Sequence, residues 1–203
     1  DDDVLTALLV KGYCTPEAVA TALLATPEAA AAALDRLTAA GLVETAIGSL
    51  RLTAEGKAAA HKAVERVAAG WGRAAAETAL DAFVALDRRM KATVTAWQLR
   101  EVGGEQVVND HADAAYDAGV LEDLALLHTD AAAWLEPLIP SVPRFAAYAA
   151  RLGRAAAAAR AGDGRFVASP RVDCYHGVWF ELHEDLILHA GRTRADEVAA
   201  GRA

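Results

Sequence analysis

Cysteine is nearly absent from this 203-residue sequence: Cys14 and Cys174 stand far apart and outside any CxxC pair. Two thiols so placed support neither a disulfide framework nor a zinc ribbon, and with no secretory leader in view a cytoplasmic protein is expected. Aromatic residues make up only 6% of the chain, and alanine supplies much of its 54% hydrophobic content. The core therefore has to be built from scattered Leu, Val, Trp and Phe on closely packed helices. No run of about 18 apolar residues free of charge occurs, so no membrane span is expected. Bases are outnumbered, 20 Lys and Arg against 28 Asp and Glu, for a formal charge of −8. Such a molecule repels a polyanion at long range, and any DNA contact has to come from a local patch. A Gly-rich phosphate loop, a GxSxG elbow and a dinucleotide fingerprint are all missing, which leaves the familiar enzyme classes unsupported and no cofactor expected.

What is present is a series of helix signals. Asp2 to Val10 carries Val4, Leu5, Leu8 and Leu9 on one side and reads as a helix ending near Lys11-Gly12. Thr15-Pro16-Glu17 and Thr26-Pro27-Glu28 each supply an N-cap, a proline at the first helical position and an acid in the first turn. They open a second helix over Ala18 to Ala25 and a third running through Leu34 and Leu37 to Gly41. The pattern then changes to two short alternating stretches, Leu42 to Ala46 and Leu50 to Thr53, around Ile47-Gly48-Ser49, a small hairpin. Thr53-Ala54-Glu55 caps a fourth helix reaching about Ala69.

Three helices, a hairpin and a further helix follow the order of a winged helix-turn-helix. The run LDRLTAAGLVETAIGSLRLTAEG, Leu34 to Gly56, resembles the recognition-helix, wing and LT-x-EG segment of MarR-like transcriptional regulators. That resemblance implies a mainly α protein: a winged helix-turn-helix with a β-hairpin wing over residues 1–70, followed by a helical bundle over 71–203 that serves dimerisation and ligand binding. It also implies DNA contacts from the third helix and the wing, for which Arg36, Thr38, Arg51 and Lys57 are the candidates. The charge argues the other way. From Asp1 to Gly70 there are nine acids against six bases, and the third helix offers only Arg36 and Thr38 as donors toward base edges. A docking module that binds a partner protein accounts better for that balance.

Gly70-Trp71-Gly72 marks the joint to the second region. A long helix from Arg73 to Arg100 follows, with Leu80, Phe83, Met90, Val94 and Trp97 at helical spacing, closed by Val102-Gly103-Gly104. Asn109-Asp110 caps a further helix toward Leu138, Arg144 to Ala161 forms the next, and Ser169-Pro170 opens a last strong helix over Arg171 to Ala190. Long alanine-faced helices after a winged domain lead to the expectation of a homodimer.

Polar residues in this region gather in three places: Asp173 to Asp185, Asn109 to Asp117, and Arg88-Arg89-Lys91 with Trp97-Gln98. On a helix, Tyr175, Trp179, Leu182, Leu186 and His189 share one stripe, and His176, Phe180, His183 and Ile187 another. Arg88, Trp97, His111, Tyr175, His176, Trp179, Glu181 and His183 are therefore the candidates for a small-molecule effector pocket between helices. A metal site from His111, His176, His183 and an Asp lacks HxxxH or HExxH spacing, and none is expected. An enzyme using His176 or His183 as a general base, with Glu181 or Asp173 orienting it, lacks a nucleophile motif. The C-terminal helix also bears a slight resemblance to actinobacterial winged-helix proteins associated with phosphoenolpyruvate-utilising enzymes.

Overall fold

The computed structural model describes residues 1–202 and is mainly helical. The chain forms two compact units, one of Asp1–Leu80, Ile139–Tyr148 and Glu181–Ala203, the other of Asp81–Leu138 and Ala149–Phe180.

The first unit begins with α1 (Asp2–Lys11), α2 (Pro16–Leu23) and α3 (Pro27–Ala39). The Oγ atoms of Thr15 and Thr26 accept the backbone N–H of Ala18 and Ala29, and a proline fills the first turn of both helices. Each such cap contributes roughly 1 kcal/mol. Strands β1 (Val43–Ala46) and β2 (Ser49–Leu52) pair antiparallel, Val43 opposite Leu52. Their turn is Ile47-Gly48, both at positive φ, the conformation a two-residue hairpin needs to match strand twist. Cys14 and Leu50 exchange both backbone hydrogen bonds, at 3.1 and 2.8 Å, so the hairpin is pinned to the segment before α2. Leu5, Leu8, Val19, Leu34, Leu37 and Val43 form the buried core of these elements.

Helix α4 (Ala54–Trp71) starts from Thr53, whose Oγ accepts the Gly56 N–H. Thr53 N–H in turn donates to the Leu42 carbonyl at 3.0 Å. This brings α4 so near the chain entering β1 that a Cβ on Gly56 would overlap the Leu42 carbonyl oxygen. Backbone, unlike the end of a long side chain, cannot step aside cheaply. Gly56→Ala is therefore expected to lower stability by about 2 kcal/mol, measured by urea denaturation; an unchanged midpoint would refute this packing.

The unit is completed by the first part of α5 (Arg73–Gln98), the start of α7 (Phe145–Arg160), the second part of α9 (Tyr175–His189) and α10 (Arg194–Ala199). Thr193 and Asp196 close a capping box at α10. The chain there is packed: Glu197 is fully buried and accepts from Arg192 and Arg202. Lys11, at the end of α1, is ion-paired with Glu181.

The second unit holds the rest of α5, then β3 (Leu99–Val102) and β4 (Glu105–Val108), α6 (Ala114–Leu135), a 3₁₀ turn over Glu136–Leu138, most of α7, α8 (Arg165–Ala168) and the opening of α9. The expected stop at Val102-Gly103-Gly104 is the turn of a second antiparallel hairpin, Leu99 opposite Val108. Two glycines at positive φ reverse the chain, and the strands they join leave Val102 and Val108 exposed. The last strong helix starts at Tyr175 rather than Arg171: Ser169 Oγ accepts the Arg171 N–H, and it is Cys174, whose Sγ accepts the Gly177 N–H, that stands at the helix N-terminus. In the core, Phe83 stacks on Trp179 at 4.7 Å and lies 5.3 Å from Trp134. The Trp179 indole N–H donates to buried Asp87 at 3.0 Å. Buried Arg151 donates to both oxygens of Asp173, at 3.0 and 2.6 Å.

Candidate functional site

In the second unit the chain leaving β4 makes a tight polar loop. Asn109 N–H donates to the Gln98 carbonyl at 2.8 Å, closing the base of the hairpin. The Asn109 side chain, 4% exposed, donates to the Trp97 carbonyl at 3.2 Å and to Asp117 Oδ1 at 2.8 Å, while its Oδ1 accepts the His111 N–H at 3.2 Å. Held this way, His111 adopts φ 57°, a conformation uncommon for a side-chain-bearing residue and one that clusters at functional sites. Asp113, not Asn109 or Asp110, then caps α6, its Oδ1 accepting from Ala115 and Tyr116 N–H.

His111 is clamped on two sides. Its Nδ1 lies 2.9 Å from Asp117 Oδ2, and its ring sits 4.4 Å from the Trp97 ring at 38°. Because Nδ1 faces a carboxylate, it carries the proton and donates; the second nitrogen at 3.3 Å, Asn109 Nδ2, is itself a donor and offers no lone pair. Trp97, Asn109, His111 and Asp117 line a cavity of about 770 Å³, whose remaining wall includes four alanines with Val108 and Leu121. Arg165 and Ser169 stand on the α8 side. Arg165 is held by a bidentate pair to Asp163, at 2.9 and 2.7 Å. Gly164 packs so closely on Trp97 that a Cβ there would strike the indole ring, which fixes the ring against the cavity. The size and the mix of apolar wall with a few convergent polar groups suit a small organic ligand.

Of the eight residues singled out in the sequence, Trp97 and His111 share this cavity. Tyr175 and Trp179 are buried in the core of the same unit, and Arg88 and His176 are exposed. Partial desolvation by its neighbours lowers the His176 pKa, with the Asp87 charge opposing. Glu181 and His183 belong to the first unit, where Glu181 pairs with Lys11 and His183 is buried. The sequence pointed to Asn109 as part of a helix cap and not as part of the site, although the Asn-Asp-His run was the available signal for a side chain that ties its own loop together.

In the first unit, Arg51 and Lys57 line a cleft of about 620 Å³ with Tyr13 and Glu44. The Arg51 guanidinium lies 2.7 Å from Glu44 and donates to the Tyr13 hydroxyl at 2.9 Å. Arg36 is exposed on α3 and paired with Asp1 at 2.7 Å. Thr38 is exposed on the same helix.

A third cluster is buried. Asp185, 0% exposed, is ion-paired with Arg144 and accepts the Tyr148 hydroxyl at 3.0 Å. The His189 Nδ1–H donates to the Asp185 carbonyl at 2.9 Å and lies 3.1 Å from its carboxylate. Burial and, after it, the Arg144 charge push the His189 pKa down to about 3, so the ring is neutral. Among the described residues its Nε2 has no hydrogen-bond partner, and Trp71 and Phe145 rings pack 5.9 Å away. This network is a structural tie between α7 and the second part of α9.

Among the described residues no group of three His, Cys, Asp or Glu could hold a metal ion, and no single helix is long and apolar enough to cross a membrane. No family model, curated protein or solved structure matches the chain.

Proposed function

We propose that this chain is a ligand-responsive regulator of the MarR-like kind, with a winged helix-turn-helix in its N-terminal elements and an effector cavity at His111. The observation that carries the reading is the geometry of α2 and α3: joined by three residues, they are bent by 115°, within the range of a helix-turn-helix. The hairpin that follows, tied back through Cys14 and Leu50, supports the reading as the candidate wing. In such a regulator α3 enters the major groove and the wing touches phosphates. A ligand in the second unit would act by binding one arrangement of the protein better than another.

A second reading, in which the N-terminal elements dock on a partner protein, is favoured by the outward face of α3. That face consists of Glu28, Ala29, Ala31, Ala32, Asp35, Arg36, Thr38 and Ala39, and its one base is already paired. Ile47 at the hairpin tip is 99% exposed, an apolar residue where a phosphate-contacting one would serve DNA.

Fluorescence anisotropy across a salt series separates the two. For the regulator, DNA from upstream of its own coding sequence binds more tightly than random duplex. Arg51→Ala then reduces the slope of log affinity against log salt by about 0.9 for one lost phosphate contact. Absence of binding to either duplex at low salt would remove the DNA reading and leave docking.

A further inference from the structure

The hydrogen-bonding capacity at the polar end of the His111 cavity is asymmetric. Asn109 has spent both its donor side and its carbonyl on Trp97, Asp117 and His111. The His111 Nδ1–H is spent on Asp117. Of these lining residues, what remains unspent is the His111 Nε2, the second lone pairs of an Asp117 carboxylate whose side chain is 16% exposed, and the part of the Trp97 ring not packed on His111. These are acceptors and a π surface, the set that receives a cation.

The charges agree. Asp117 on α6 is the carboxylate nearest His111. On the loop itself, Asp110 is paired with Arg100 of β3, and Asp113 is occupied as the cap of α6. The α8 side contributes Arg165, already matched by Asp163. To the cavity lining α5 contributes Trp97 and Gln98, and α7 Ala159, all uncharged. The polar end therefore supplies the Asp117 carboxylate and neither Lys nor Arg.

We propose that this cavity binds an organic cation, a protonated amine on an apolar body, held by the Asp117 carboxylate and the Trp97 ring. The proposal rests on reading the cavity as the effector site and names the ligand's chemical class. Asp117 is the binding residue; Asn109 is a positioning residue that fixes the carboxylate and the loop.

Isothermal titration of the full chain with benzylammonium, phenylacetate and benzyl alcohol tests this. Benzylammonium should bind more tightly than either of the others. Asp117→Asn should weaken its binding at least tenfold. Binding of phenylacetate or benzyl alcohol in preference to benzylammonium, or benzylammonium binding that Asp117→Asn leaves unchanged, would overturn the cation proposal while keeping the cavity as an effector site. Binding of none of the three would overturn both.

Discussion

Asp185→Ala is expected to destabilise the protein by about 3–5 kcal/mol, because removing one partner of a buried ion pair strands the other charge in a low-dielectric site. The Arg144 side chain is 9% exposed and that of Asp185 0%, so water cannot replace the lost carboxylate. Tyr148 would lose its acceptor as well, whereas His189 keeps the Asp185 carbonyl. The comparison is Asp130→Ala, which breaks the pair with Arg89 on a surface where the side chains are 56% and 44% exposed. That change should cost no more than about 1 kcal/mol. Urea denaturation of both variants measures the contrast; equal losses would mean that the Asp185 site is far wetter than its packing indicates.

Acidification is expected to weaken the folded state through His189. Its folded pKa of about 3 lies below the ordinary value of 6.5, so between those values the unfolded chain binds a proton that the folded chain excludes. Stability contributed by this difference is intact above about pH 6.5 and falls by up to about 1.4 kcal/mol per pH unit as pH drops toward 3. The physical cause is that Arg144 already matches the Asp185 charge, leaving an imidazolium without a counter-ion in a site walled by Trp71 and Phe145. His189→Phe, whatever its effect at neutral pH, should have a shallower loss of stability from pH 6.5 to 4.5 than the parent chain. Parallel curves would show that His189 becomes protonated in the folded state without penalty.

Local signals in the sequence settled much of the architecture. Thr15-Pro16 and Thr26-Pro27 start α2 and α3 because an N-cap oxygen and a preset φ act on the nearest turn and need no distant partner. Leu5, Leu8, Leu34 and Leu37 could be assigned to a core because helical periodicity puts them on one face. The stripe of Tyr175, Trp179, Leu182, Leu186 and His189 is likewise buried throughout. The parallel stripe is divided: His183 and Ile187 are buried, whereas His176 and Phe180 are exposed. Periodicity fixes which residues share a face but not how far along the helix its neighbours extend.

The second hairpin and the polar site required the tertiary structure. Leu99 to Val108 continues a helical pattern into a Gly-Gly pair, and a glycine that ends a helix looks in sequence like one that turns a hairpin. The helix expected to open at Asn109-Asp110 would have included both Asp113 and Asp117. Only Asp117 lies in α6, because Asn109 captures the His111 N–H and delays the helix to Ala114. The meeting of Trp97 with His111 and Asp117 across the hairpin is a consequence of strand register and of Gly164 packing on the indole. The sequence by itself determined where helices begin and which faces are apolar, since those depend on residues within a turn or two. Which polar groups converge was decided by tertiary structure, since that depends on how separate elements pack and on the hydrogen bonds a buried group must find there.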